Sequence, residues 1–558
     1  MSLETVTSLC EAFQETAATH ADRVALRTPG DAVSLTWSEY AERVRILAAG
    51  LAAQGVGRGD TVALMMLNRP EAVLVDCAAL HLGAIPFSVY NTSSPEQLAH
   101  LFGNAGNRIV VTQQAFLPTI RACGIELDTV VSVDGVDAGD DGDDGAIGLD
   151  ELEASGDPAF DFESAWRAVR PEDVLTLIYT SGTTGPPKGV ELTHASMLAQ
   201  LRGTQQVIEV TAEDRSASYL PFAHVADRWA TYYGAMVTGC RTTFVDNPQN
   251  IIASLGDAKP TVWGGVPRIW EKLKAGLEAK GITDPAALDA DTRAAVLALL
   301  GLDEVRWSVS GAAPVAVEVL QYFSDLGLPI CELWGMSEIS CCGSINPPHD
   351  NRLGTVGPPI PGVETRLADD GELLFRGPTV MRGYRNQPEK TAEAIDADGW
   401  LHTGDIASID ADGYITIVDR KKELIINAAG KNMSPANIEQ TVKTAHPLIG
   451  QAVVIGDRRP YNVALLVIDP DVRAAYAEQN GLDASPDAFA RDPSVRAVLE
   501  EAIAQANARL SRVEQIKRFT ILPADWLPGG DELTPTMKLK RRPIDAKYAA
   551  EIEALYSA

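Results

Sequence analysis

A chain of 558 residues, 46% of them hydrophobic, exceeds what a single hydrophobic core fills, so a large body with at least one satellite domain is expected. Its 47 basic and 76 acidic residues leave a net charge of −29, which repels a phosphate backbone and argues against a nucleic-acid partner. Seven scattered cysteines without a CxxC pair or histidine spacing argue against a disulfide framework or zinc site and for a reduced cytoplasmic location, and there is neither a basic leader nor a run of about 18 apolar residues to span a membrane.

From Ala25 to Val174, helical stretches such as "YAERVRILAAGLAAQG" alternate with short apolar strands such as "TVALMM", the pattern of α/β layers. The acidic, glycine-rich "DGVDAGDDGDDGAIGLDELEASGD" from Asp134 reads as a solvated surface loop. Beyond it, "TTFVDN", "TVWGGVP" and "VRWSVSGAAP" are β-rich runs ending in Gly or Pro and followed by helical sequence, which extends the layered domain. Around "PTVMRGYRN" the chain turns β-rich. In "GYITIVDRKKELIINAAGKNMSPANIEQTVKTA" a hairpin and glycine turn lead into a helix with Ser434 as N-cap and Pro435 at its first position. The remainder, with strands "AVVIGD" and "VALLVID", suffices for a small domain. The expected domains are therefore residues 1–420 and 421–558.

One loop carries chemistry on its face. In "YTSGTTGPPKGVELTH", Tyr179 to His194, small residues let backbone N–H groups converge on an anion, hydroxyls of Ser181, Thr183 and Thr184 add donors, and Lys188 adds a charge. It is not a Walker A loop, because Lys188 follows a proline, precedes a glycine, and leads into the β-like "GVEL" rather than a helix. A polyphosphate is the natural guest.

"YTSGTTGPPKG" resembles the phosphate-binding signature of the AMP-forming adenylating superfamily, which includes acyl-CoA synthetases, adenylation domains and beetle luciferases. "WGMSE" from Trp334, "LHTGD" from Leu401 with "DRKKELI" from Asp419, and "LTPTMKLKRR" from Leu533 resemble that family's later motifs in the family's order. The resemblance implies a fold of a large N-terminal layered α/β domain with a distorted β-barrel portion, plus a small, mobile C-terminal α+β domain. It also implies a reaction: a carboxylate joins the α-phosphate of ATP, pyrophosphate leaves, and the acyl group passes from AMP to a thiol, so that the protein's work is positioning and charge compensation.

By the same resemblance, Thr180, Ser181, Gly182, Thr183, Thr184, Gly185 and Lys188 face the phosphates. Gly311, Ala312 and Ala313 of "SGAAP" line the base and Trp334 lies against it, Gly335, Met336 and Ser337 join the ATP/AMP-binding set, and Asp405 and Arg420 meet the ribose. Glu338 is implied to hold Mg²⁺. Relatives carry Gly-Lys near the C-terminus where this chain has "MKLKRR"; the basic run that follows selects Lys538 as the adenylation lysine, and a gap-free match to the preceding residues selects Lys540. Lys538 is preferred. Lys422 occupies the hinge position of "DRKKEL", and rotation about it brings the loop at Gly430 to the thiol.

"LPFAHVADRW" from Leu220, "GVPRIW" from Gly265 and "GLPICELWGMSE" resemble bacterial long-chain fatty acyl-CoA synthetases, which implies a fatty acid, ATP and coenzyme A as substrates. His224 is a candidate border of the acyl site and Trp270 a candidate gate of an acyl tunnel. No carrier domain follows the final lysine block, which favours coenzyme A as acceptor. The alternatives are an acyl-AMP ligase that loads a carrier protein and a non-catalytic acyl or nucleotide binder. A homodimer is common among such relatives, and peripheral membrane contact stays open.

Overall fold

The computed structural model describes residues 3–136, 145–180, 186–426, 432–534 and 537–557. Strands Thr61–Met65, Ile85–Ser88, Ile109–Thr112, Thr129–Ser132 and Ala146–Gly148 form one parallel sheet. Parallel strands covered on both faces read as continuous apolar runs, and Thr61–Met65 is buried at every residue. The helix Pro70–His81 behind it is buried at all positions except Glu71, which makes it a core helix rather than an amphipathic surface one.

Residues 137–144 of the acidic stretch from Asp134 lie outside the described residues, and the part that follows them departs from the surface loop read in the sequence. Ala146–Gly148 is the fifth strand of this sheet, and Leu149–Ala154 is a short helix. Two leucines decide the outcome: Leu149 and Leu152 are buried, and Arg43 ties Glu153 to the neighbouring helix at 2.5 Å. Burial of two large side chains outweighs the local composition.

A second sheet carries Val262–Gly264, Trp307–Ser310 and Ile330–Met336 in parallel, with Cys341–Ile345 returning antiparallel. A hairpin, Val174–Thr180 with Lys188–Thr193, pairs further with Gly383–Tyr384, so "GVEL" is strand and the helix begins at His194. Glu364–Leu367, Glu372–Arg376, Leu401–Ile409 and Ile415–Arg420 form a four-stranded antiparallel sheet. Its strand order is linear, and beyond Ile415–Arg420 the Ile415 backbone bonds to Val356 and Gly357, which links the sheet through Pro358 and Ile360 to the strand Cys341–Ile345.

From Ile425 onward the buried apolar side chains form clusters of their own. They cover a three-stranded sheet of Ile449–Ile455, Asn462–Ile468 and Ile516–Leu522. Helix Pro435–Lys443 begins as the sequence reads, with Pro435 in the first turn and the Ser434 hydroxyl accepting from the Asn437 N–H.

Inside the large domain, Arg228 and Asp76 form an ion pair at 2.7 Å with both side chains fully buried. The guanidinium also donates to the Tyr233 hydroxyl, Ser88 Oγ and the Phe222 carbonyl, each at 2.9 Å. Withdrawing one member of such a pair strands a charge in a medium that cannot solvate it. Arg228→Met should therefore cost about 3–5 kcal/mol of unfolding free energy, measured by urea denaturation, and Asp76→Leu added to it should regain most of the loss; an unchanged midpoint in Arg228→Met would contradict this.

Candidate active site

The ends of the two parallel strands Trp307–Ser310 and Ile330–Met336 open onto a cleft. Gly311 leaves the first strand where a Cβ would lie 2.6 Å from Leu333 Cδ1, and Ala312, at φ 67°, holds a left-handed backbone that costs a non-glycine residue of order 1–3 kcal/mol. Ala312 and Ala313 are exposed. On the second strand Gly335 has no alternative, since a Cβ would stand 1.5 Å from the Cys341 carbonyl oxygen. Met336 and Ser337 follow, half-buried, leading to buried Glu338. The turn beyond Glu338 is fixed by two further left-handed residues, Ser340 at φ 61° and Cys341 at φ 108°, and by Ser340 Oγ donating to the Thr379 carbonyl at 2.8 Å.

Across the cleft, Asp405 and Arg420 face each other in the antiparallel ladder. Arg420 Nε lies 2.9 Å from Asp405 Oδ1, and Trp334 Nε1 donates to Asp405 Oδ2 at 2.7 Å. The Trp334 ring, 7% exposed, packs against Phe375 at 6.1 Å between centroids and over Gly343, where a Cβ would come within 2.6 Å of it. Burial raises the Asp405 pKa, opposed by Arg420, the indole N–H and, from farther off, Lys538.

Glu338 Oε1 accepts from the Tyr384 hydroxyl at 2.8 Å. The ammonium of Lys188 sits 3.8 Å from the centroid of the same Tyr384 ring. Desolvation lowers the Lys188 pKa, with Glu338 acting in the opposite sense and the Lys422 and Lys390 cations adding to the lowering. Thr180 and Lys188, which flank the loop of the sequence signature, are paired across the hairpin. Ser181, Gly182, Thr183, Thr184 and Gly185 of that loop, like Gly430, lie outside the described residues.

The small domain supplies Lys538. Its side chain is exposed, with Arg420, Asp405, Glu423 and Glu338 near enough to act on its charge. Desolvation there, reinforced by Arg420, lowers its ammonium pKa, while Asp405, Glu423 and Glu338 act in the opposite sense. Lys540 points elsewhere: its Nζ donates to the Gly530 carbonyl at 2.7 Å. Arg541 braces the segment, with Nη1 and Nη2 on the two Glu439 oxygens at 2.7 and 2.8 Å and Nε 3.3 Å from Glu423. Lys422 is exposed beside it.

His224 is close enough to Lys538 for that cation to reinforce the effect of burial on its pKa. Its Nδ1 accepts the Ala226 N–H at 3.2 Å as a helix cap, which leaves Nε2 for other contacts. Trp270, by contrast, is fully buried, edge-on to Trp263 and Phe323 at 5.1 and 5.2 Å, with its N–H on the Gly265 carbonyl. The structure thus gathers Lys188, Trp334, Glu338, Asp405, Arg420, Lys538 and His224 around one cleft and places Trp270 in a packed core beside it.

Sequence reasoning missed Tyr384, which bridges Lys188 and Glu338. Its signal, an aromatic between Gly383 and Arg385 in a β-rich stretch, acquires meaning only through pairing with Lys188–Thr193. Arg541 was likewise passed over as one charge in a basic run.

Burial pushes three histidines, His81, His194 and His224, down to about 4. In the unfolded chain an imidazole takes up its proton near pH 6.5, so between about 6.5 and about 4 the unfolded state binds more protons and stability falls as pH falls. Above that window these groups contribute no slope. Imidazole NMR titration should place all three below pH 5, and a midpoint near 6.5 for any of them would remove it from this account.

Comparison with known proteins agrees with this geometry. Residues 13–385 match the family model of the AMP-binding enzyme and residues 422–558 that of the AMP-binding enzyme C-terminal domain. A provisionally named fatty-acid--CoA ligase of Mycobacterium tuberculosis, fadD11, is 53% identical over 441 residues, 73% of this chain and 77% of its own. The long-chain-fatty-acid--CoA ligase FadD15 of the same species is 36% identical over 94% of this chain and 92% of its own. Among solved structures, the anthranilate CoA ligase AuaEII, in complex with anthranoyl-AMP, superposes with a TM-score of 0.79 at 20% identity, covering 98% of this chain and 99% of that one, a likeness of fold. With a large N-terminal domain and a smaller C-terminal domain each matched by its own model, the chain belongs to the family of AMP-binding enzymes.

Proposed function

We propose that this protein activates a long-chain fatty acid with ATP and transfers the acyl group to coenzyme A. The observation that carries the reading is the convergence of two cations, Lys188 and Lys538, with Glu338, Asp405 and Arg420 on one cleft. The names of FadD15 and fadD11 favour the same acid class.

In the first step a carboxylate oxygen attacks the α-phosphorus of ATP and the bond to pyrophosphate breaks. In the second, the thiol sulfur attacks the acyl carbon, AMP leaves with the electron pair of the broken C–O bond, and the thiol proton passes to solvent. The chain's residues act by position. Asp405 retains acceptor capacity beyond its bonds to Trp334 and Arg420, enough for the ribose hydroxyls. Lys538 stabilises negative charge that builds between the carboxylate and the α-phosphate, where fixed donors act with little reorganisation. Lys188 meets the phosphates from the hairpin side. His224, neutral at physiological pH with Nδ1 taken by the Ala226 N–H, borders the acyl carboxylate.

Glu338 fits Mg²⁺. Its carboxylate has acceptor capacity beyond the bond from Tyr384, no larger cluster of metal-ligating residues stands among the described residues, and Mg²⁺ is commonly held by one or two carboxylates plus substrate phosphates. When bound, the ion neutralises phosphate charge. The small domain, residues 421–558, turns about Lys422 between the two steps, withdrawing Lys538 and admitting the thiol past Gly430.

Lys538→Ala should lower fatty-acid-dependent ATP–pyrophosphate exchange by about 10² to 10³ while sparing thioester formation from supplied acyl-AMP; equal loss of both would sink the assignment. Glu338→Ala should raise the Mg²⁺ concentration needed for half-maximal exchange, and an unchanged dependence would reject its metal role. Mass spectrometry after incubation with ATP, Mg²⁺, coenzyme A and graded fatty acids should find acyl-CoA and AMP, richest for long chains. Acyl-AMP without thioester would redirect the reading to a carrier-protein acceptor.

A further inference from the structure

The helix Pro267–Glu278 has two faces with different partners. Pro267, Trp270, Leu273 and Leu277 are buried in the large domain. On the other face Arg268, Glu271 and Lys272, spaced i, i+3, i+4 and so neighbours on the helix surface, all engage the small domain. The Arg268 guanidinium pairs with the Asp469 carboxylate, and Lys272 Nζ lies 2.9 Å from Asp471 Oδ2. Glu271 accepts from Gln440 Nε2 at 3.1 Å and has Lys443 Nζ at 4.0 Å. The helix is thereby held between two small-domain helices, Pro435–Lys443 and Pro470–Asn480.

Asp469 is the central partner. Only 4% of its side chain is exposed, and Oδ1 caps the next helix by accepting the Asp471 and Val472 N–H groups at 3.0 and 3.2 Å. Its charge is therefore fixed in place and shielded from water, where an opposite charge acts more strongly than at an open surface.

The N-terminal end of the same helix is tied to the strand that leads into the candidate site. The Gly265 N–H donates to the Val309 carbonyl at 3.0 Å, and the Val266 N–H to the Tyr219 hydroxyl at 3.1 Å. Val309 lies on the strand that leads into Gly311, and Tyr219 precedes the segment that ends at His224. The helix is thus a strut, bonded at one end to the Val309 strand and Tyr219 and along its outer face to the domain that carries Lys538.

We propose that Arg268, assisted by Lys272 and Glu271, is a positioning residue for the first half-reaction, holding the small domain where Lys538 faces Asp405 and Glu338. The proposal rests on the two-step ligase reading given above. Rotation of the small domain would break these contacts together, so they bias the enzyme toward the adenylation arrangement and must be released before thioester formation. Removing them should therefore affect the two half-reactions unequally, which a residue that merely supports the fold would not do.

The test compares fatty-acid-dependent ATP–pyrophosphate exchange with the rate of acyl-CoA formation from supplied acyl-AMP and coenzyme A. Arg268→Ala should slow exchange about three- to tenfold, the range open to one partly buried ion pair, and leave the second rate unchanged or raised; Arg268→Lys should keep most of the exchange. Lys272→Asp should slow exchange less, and Asp471→Lys in the same chain should restore it. Equal loss in both half-reactions, no loss in Arg268→Ala, or failure of the charge swap to restore exchange would overturn the proposal. Should Arg268→Ala not fold, the exposed Lys272–Asp471 swap decides alone. Lys538→Ala run in parallel separates the two ideas: if it too lowers both rates equally, the two-step reading falls, whereas if it splits them and Arg268→Ala does not, only the strut falls.

Discussion

A carboxylate withdrawn from water needs donors that cannot drift away, and Asp405 meets that requirement by drawing on remote parts of the chain. The indole of Trp334 arrives from the parallel sheet, Arg420 from the next strand of the antiparallel sheet, and the field of Lys538 from the small domain. Each donor is held by its own packing: Trp334 against Phe375 and Gly343, and Arg420 by the ladder and by donation to the Thr403 carbonyl at 3.0 Å. Loss of any one would leave buried charge less well compensated, so the large domain's two sheets and the small domain are constrained through one side chain.

The same logic explains why a protein of net charge −29 gathers cations at its cleft. Lys188, Arg420, Lys422 and Lys538 act on one another's neighbourhood through space, and their mutual repulsion is offset by Glu338, Asp405 and Glu423. A substrate bearing several phosphates adds the negative charge this arrangement lacks. The acidic background elsewhere sharpens the contrast and leaves the cleft as the place where an anion is welcome.

What was legible in the sequence lay in contiguous blocks, those around Lys188, Trp334, Asp405 and Lys422, whose residue order resembles the family's motifs. Contacts between distant segments were not. Glu338 and Tyr384 are 46 positions apart, and Arg268 and Asp469 are 201 apart; neither pair has a local signal. The strand Ala146–Gly148 was hidden because three residues in acidic, glycine-rich company resemble a loop until Leu149 and Leu152 are known to be buried. The two candidate lysines differ by two positions in sequence, but one is occupied by the Gly530 carbonyl and the other faces the cleft.

Among the described residues, Lys188 rests on the face of Tyr384 rather than in a close ion pair. A cation on an aromatic face is held by about 0.5 to 2 kcal/mol, less than the several kcal/mol needed to part a buried salt bridge. The ammonium is therefore kept ordered, partly dehydrated and near its work, while remaining easy to detach. An arriving anion need not compete with a carboxylate for it, and because the Tyr384 hydroxyl is bonded to Glu338, the perch itself stays put when the lysine leaves.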